Sequence, residues 1–596
     1  MNNSETSISE MVDNLDLLSE PFTEHKINAA VNSFIKEQKL KDIPPLWLAE
    51  AMAFDFVQNY QNAETGWGTY YGPMMVWNNE NGTATESPSI KLVTPEMIYY
   101  WEERSKSAKH PILKLRYADL VWDFSKTIIN KPPHFSVAHT IIDNTIEIAK
   151  QNFHKYETDV ITKLERALVV AISINDADRI NNVRDITIQY EDNISEDQKP
   201  GLWGFSFDLL LKNKKVPIPN ETKEKIILDL ETRLAKLSDT TDKTNLDPWA
   251  AEAAALRLAQ YYRSLNQKEN IERVLLKFGN TFEVASEDAS SLQVSSWLQR
   301  VHSVYLDYGL REEAEKIAIK LKEIGPKVND EMKSISHEMR ISQEEMDEYI
   351  NSIIGNDIET TFVRIAIQYV PKKDRVENQL KNLAQKAPIS YLIPRQIQDH
   401  QGRPVAFIGS LEDDLIGHIV NLSSQNMQIS SVFMRRVLEE FVLRFKLTPQ
   451  NIIDYLYQSP VFEDDKKIII LDGINAYLEN NHLIAIHLLI PQIESAFRKL
   501  VEHTGGSVLK TSRGGGMHLK TLDELLRDQR IINIFGEDMA LYFRILLTDQ
   551  RGWNLRNDVC HGISPAVTFQ VNISDRIFHA LLCLALVREK EQNAEQ

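Results

Sequence analysis

Near the C-terminus the chain reads Leu555-Arg556-Asn557-Asp558-Val559-Cys560-His561-Gly562. The segment sets a permanently charged guanidinium and an imidazole that titrates near neutrality five positions apart. Cleaving RNA without a metal requires a proton taken from a 2′-hydroxyl, charge met on the phosphorane, and a proton given to the leaving 5′-oxygen. Histidine exchanges protons near pH 7, an effect worth roughly 10²–10⁴-fold, and arginine grips two phosphate oxygens through its planar fork. His561 and Arg556 are therefore the candidate catalytic pair. Asn557 joins them, because it stands four residues before His561 on the same helical face, where it can fix the imidazole tautomer or touch phosphate. Gly562 fits a helix C-terminus, which leaves His561 in the last turn, where the helix dipole favours a charged imidazole. A capping or salt-bridged pair with no chemical role would show the same spacing.

Two further residues support the candidate site. The apolar stretch 487–498 carries Glu494 and Arg498 at i,i+4. They read either as an internal ion pair or as a helper, with Glu494 orienting His561 or Arg556 from a facing helix. Pro491 lacks an N–H and removes the helical hydrogen bond to the His487 carbonyl, so a kink toward the site is expected. Rival chemistries fare worse. Cys560 points about 100° away from its neighbour His561 on a helix and is no natural thiol partner for it. Arg513-Gly514-Gly515-Gly516 lacks the G-x-x-x-x-G-K-[ST] order of a phosphate loop and reads as a hinge. His482, His487, His503, His518 and His579 show no metal-ligand spacing, so neither a metal nor a cofactor is expected.

The elements that must position these residues are helical. Apolar periodicity predicts helices over 27–37, 46–58, 95–104 and 113–127, interrupted by the aromatic stretch 66–88 with Trp67, Tyr70, Tyr71 and Trp77. Such a long segment is a contact surface or a loop folded onto its own domain. Asp247-Pro248 supplies an N-cap and an N1 proline for 248–264, followed by 269–278, 291–308 and 312–324, helix pairs of solenoid character. Apolar runs 391–394 and 405–408 flank the turn sequence Asp399-His400-Gln401-Gly402-Arg403-Pro404 and predict a small hairpin. Helices then resume at 411–422, 431–445, 449–457, 466–479, 483–503, 519–527, 538–547 and 574–590. The expected fold class is all-α, with domains at 1–25 (a loose acidic tail), 26–235, 236–368, 369–460 and 461–591.

The 596 residues exceed one core. A net charge of −18 argues against a general polyanion binder, so any nucleic-acid contact must come from a local basic pocket. Two cysteines are too few for a disulfide framework or a thiolate zinc site and point to a reducing compartment, read as cytoplasm. The start of the chain lacks a signal-peptide pattern, and the most apolar late segment, 577–587, is shorter than the ~20 residues of a membrane span.

The segment 555–562 resembles the R-N-x-x-x-H-G signature of the domain of unknown function 4209 family. That helical family is similar to the HEPN (higher eukaryotes and prokaryotes nucleotide-binding) superfamily, whose R-x(4–6)-H motif is also matched. The helix 487–498 resembles the one preceding the motif in that family, and 110–124, with Arg116-Tyr117-Ala118-Asp119 and Trp122-Asp123-Phe124, is similar to an all-helical domain that often accompanies it. Ile563 stands where related toxins carry a tyrosine two residues past the histidine, which sets regulation through such a tyrosine aside. The resemblance implies a metal-independent endoribonuclease acting by 2′-hydroxyl attack to leave a 2′,3′-cyclic phosphate. It implies RNA as substrate, a homodimer through the C-terminal domain, and work in defence or RNA turnover. The N-terminal helices would then be sensor, scaffold or docking surface for a protein partner. A catalytically silent HEPN-like module that binds RNA, a nucleotide or a protein is the alternative reading.

Overall fold

The computed structural model describes residues 8, 10–14, 20–39, 42–58, 67–78, 84–333, 338, 340–511 and 514–589. The chain is mostly helical, and among the described residues its strands form three two-stranded antiparallel sheets. Helix starts follow local chemistry. Thr94 caps Pro95–Ser107, Asp247 accepts from the Trp249 and Ala250 amides ahead of Pro248–Ser264, and Ser290 with Gln293 and Thr448 with Asn451 close capping boxes. No described helix is long and apolar enough to cross a membrane. The chain divides into two compact units, Met1–Lys320 and Leu321–Gln596.

In the first unit, helix Pro111–Ile128 is the central post, with Tyr117, Leu120 and Phe124 at 0% exposure. Arg116 and Asp119 of this helix are buried too, and each has a partner. Arg116 donates to the carbonyls of Ala53 and Phe56, and Asp119 receives the Arg166 fork at 2.7 and 2.9 Å. Asp123 accepts the backbone N–H groups of Tyr70 and Tyr71 at 3.0 and 2.9 Å, and the Tyr71 hydroxyl donates to Asp119. The aromatic stretch 66–88 is thus, where described, folded onto its own unit by carboxylates. Beyond that clamp it forms the hairpin Met75–Asn78 with Ala84–Ser87. Gly66 and residues 79–83 lie outside the described residues. The expected loose tail is corrected where it is described: Ile8 and Val12 sit in this core at 0% exposure, Phe22 joins them, and Arg104 pairs with Asp13 at 3.1 Å. Residues 1–7, 9 and 15–19 of that tail lie outside the described residues.

The main apolar core of the second unit runs from Ile350 to Ala585, with a smaller cluster of Val376, Leu380, Ile419 and Leu422. Segments 369–460 and 461–589 therefore contribute to the same interior. Its frame is a 31-residue helix, Leu415–Phe445, where two helices are expected. Within the polar run that reads as a break, Ser423 to Ser431, the stretch from Met427 onward is met from outside the helix. Fully buried Arg576 donates to the Met427 carbonyl at 2.7 Å and to the Ser430 hydroxyl at 2.6 Å, so the chain continues as helix through serines. The hairpin pairs Arg395–Gln398 with Pro404–Ile408; the run 391–394 lies before it, since Pro388–Leu392 is a short helix. The glycine-rich segment is a hairpin turn and not a hinge: Leu509–Thr511 pairs with Met517–Leu519 around Gly514–Gly516, and Arg513 lies outside the described residues. This shortens the helix expected at 519–527 to Leu522–Leu526. The helix expected at 538–547 begins at Gln529, with a non-helical break at Gly536, and the last helix spans Val571–Leu584.

Candidate functional site

The motif helix, Leu555–Cys560, is short because both its ends are chemically marked. Asn554 enters in the left-handed region at φ 49°, a conformation asparagine tolerates. At the other end the Gly562 amide bonds the Val559 carbonyl at 3.1 Å and the Ile563 amide bonds the Asp558 carbonyl at 2.8 Å, a Schellman turn. Gly562 sits at φ 66°, where a Cβ is strained. His561 is therefore the capping residue, one position past the regular helix. Leu555 and Val559 point inward and anchor the helix in the core.

Arg556 faces the long helix His482–His503. Its Nε donates to Glu494 Oε2 at 2.6 Å, and Nη2 lies 3.4 Å from Oε1. Arg498, one turn along, donates to the same carboxylate. Glu494 is buried at 5% exposure, whereas the Arg556 side chain retains 21%. One carboxylate between two guanidinium groups leaves the cluster net positive by one charge. Arg498 Nε is also buried without a hydrogen-bond partner, so the cluster has donor capacity left over. Asn557 turns away from the histidine. It donates to Asn554 Oδ1 at 2.7 Å and toward the Thr548 carbonyl at 3.4 Å, and it accepts from Arg556 Nη1 at 3.2 Å.

His561 is exposed. Among the described residues no hydrogen bond or ion pair joins its ring to Asn557, Glu494 or Arg556. The expected tautomer-fixing role of Asn557 or Glu494 toward His561 is corrected accordingly: Asn557 braces the helix entry, and Glu494 binds arginines. The reason is angular. Residues 556 and 561 are roughly 140° apart around a helix, and the chain stays regular up to the cap. Asp558 lies between them, its carboxyl raised by burial and lowered by the Asn554 amide; the charges of Asp399, His400 and His561 also act on it. Burial likewise pushes the Cys560 thiol up, against the help of Arg556, which disfavours the thiolate a nucleophile needs.

The loop entering the motif is held by the frame helix: Arg551 lies 3.5 Å from Asp414, and Trp553 Nε1 donates to the Ser424 carbonyl at 3.3 Å. Beneath it lies a polar cluster on the last helix that the sequence reading passed over. Arg576 sits 5.9 Å from the ring centres of both Trp553 and Tyr369, and Asp575 accepts the Tyr477 hydroxyl at 2.7 Å. His579 bridges the Tyr542 hydroxyl at 2.6 Å and the Ile365 carbonyl at 3.2 Å. Asp575 and Arg576 immediately before the apolar segment 577–587, and His579 inside it, were the signal that could have revealed them.

A cavity of about 320 Å³ opens elsewhere in this unit, between Ile367–Asp374 and Phe535–Met539. Its lysines are already engaged, Lys373 with Glu537 at 3.2 Å and Lys372 with Asp538 at 3.4 Å, and neither Arg556 nor His561 lines it. Among the described residues no group of three His, Cys, Asp or Glu side chains is placed to hold a metal ion. No protein-family model, no curated protein and no solved structure matches the chain.

Proposed function

We propose that the C-terminal unit is a metal-independent endoribonuclease of HEPN type. The observation that carries this reading is an exposed imidazole at the end of the same short helix that holds a partly exposed guanidinium in a cluster of net positive charge. His561 accepts the 2′-hydroxyl proton as the 2′-oxygen bonds to phosphorus, and Arg556 meets the charge gained by the phosphorane. The bond from phosphorus to the 5′-oxygen then breaks, leaving a 2′,3′-cyclic phosphate. The leaving oxygen needs a second acid, which His561 of a second copy supplies in a homodimer built through this unit. The N-terminal unit serves as sensor or scaffold, in a cytoplasmic defence or RNA-turnover setting.

One observation favours the alternative of a silent, binding-only module. The Arg556 fork already holds a carboxylate, which occupies donors that a phosphate would use. Incubating the purified protein with total RNA in EDTA and analysing product ends separates the two readings. Cleavage that persists in EDTA, leaves cyclic phosphate and is lost in His561→Ala supports the nuclease. Cleavage that needs Mg²⁺ rejects the mechanism, and binding without cleavage supports the silent module.

A further inference from the structure

Along the helix His482–His503, His487 precedes Glu494 by seven residues, two turns less about 20°, so both lie on one face about 10 Å apart. Glu494 holds Arg556, and His487 holds a different group. The ring of Phe569, which follows the motif, lies 4.8 Å from the His487 ring at an interplanar angle of 41°. The imidazole is fixed, because Nδ1 donates to the Leu483 carbonyl at 2.8 Å and leaves Nε2 without an assigned partner. Pro491 lacks the N–H that would bond the His487 carbonyl, so that acceptor also loses its helical donor. His487 is exposed and Phe569 half-buried, and Val567, between the motif and Phe569, is 69% exposed.

We infer that His487 and Phe569 form a stacking platform for one base of single-stranded RNA, next to the phosphate gripped at Arg556. The inference rests on the ribonuclease reading of the motif. Single-stranded RNA is recognised by bases splayed onto Phe, Tyr, Trp or His, whereas a duplex keeps its bases stacked on each other. The platform accordingly selects unpaired RNA. The rings are about 10 Å along the helix from the Glu494–Arg556 pair, which places the bound base at a nucleotide adjacent to the scissile phosphate.

The test uses the full chain and a short oligoribonucleotide that carries 2′-O-methyl groups, so that it cannot be cleaved, and one 2-aminopurine. Stacking quenches the 2-aminopurine fluorescence. Quenching is expected with the single strand and not with the same sequence in a duplex. His487→Ala, at an exposed position that cannot threaten the core, weakens binding about tenfold, while His487→Phe keeps the quench. Phe569→Ala does the same as His487→Ala, and Phe569→Trp restores it. On cleavable RNA the loss in His487→Ala falls on KM more than on kcat. Binding without quench, or unchanged binding in His487→Ala, overturns the platform. So does a switch from dimer to monomer in Phe569→Ala, which would make this face a contact between copies. Quenching without cleavage of unmodified RNA keeps the platform and rejects the nuclease reading; cleavage without quenching does the reverse.

Discussion

At the scale of single residues, Arg556, Glu494 and Arg498 form the unit on which the proposed chemistry would turn. Glu494 is buried and receives two charge-assisted hydrogen-bonded arginines, so Glu494→Gln removes the counter-charge of both. It is expected to cost about 2 kcal/mol in chemical denaturation of the second unit and to lower RNA cleavage at least tenfold, because Arg556 loses its brace. A gain of cleavage in that variant would mean that the carboxylate blocks the arginine instead of placing it. Arg556→Lys keeps the charge and loses the fork. Cleavage should not recover, while thermal stability stays near wild type because Glu494 retains Arg498. A fully active Arg556→Lys protein would show that a point charge suffices. His561→Ala should abolish EDTA-resistant cleavage, a loss of roughly 10²-fold or more, without unfolding, since the ring is exposed.

The elements carry two predictions of their own. In the last helix, burial, reinforced by Arg576, lowers the His579 pKa to about 3, so the ring stays neutral in the folded state. The unfolded chain takes up that proton near pH 6.5, which means stability falls as pH drops below 6.5 and continues to fall until about 3, at about 1.4 kcal/mol per unit. Denaturation of the protein across this window should show the slope, and His579→Gln should flatten it. In the hairpin, Gly402 sits at φ 71° and a Cβ there would meet the Gly325 carbonyl oxygen at 1.9 Å. The Asn329 side-chain amide also donates to the His400 carbonyl at 2.9 Å, so the turn is docked against Gly325 and Asn329. Gly402→Ala should cost about 2–3 kcal/mol and expose the turn to proteolysis, against only about 1 kcal/mol, the strain of the positive φ, if the turn were free in solution.

At the scale of the whole molecule, the proposed ribonuclease mechanism predicts two copies. Arg556 points at a neighbouring helix and His561 at solvent, so one protomer does not bring both to one phosphate. A self-complementary patch around a two-fold axis would bring two motifs together and concentrate positive charge on a chain of net charge −18. Light scattering at micromolar concentration is expected to report a dimer. Ile563→Glu, at a 39% exposed position beside the motif, should give monomers that no longer cleave. A fully active monomer would exclude the composite site.

Local chemistry in the sequence determined the helical class, most helix starts and the stop at Gly562, because capping, proline and glycine act over three or four residues and need no distant partner. It also marked Arg556 and His561 as the candidates proposed to hold phosphate and move protons. It did not determine which way those groups face. The Arg556–Glu494 pair joins residues 62 apart, and Arg576 reaches Met427 across 149. Such pairings depend on which helix faces pack, and no periodic pattern encodes them. The same holds for the serine run that stays helical once Arg576 satisfies it, for the glycine turn closed by strand pairing, and for His487 meeting Phe569. Buried polar groups must find partners wherever the packed chain supplies them, so the tertiary structure alone decided these contacts.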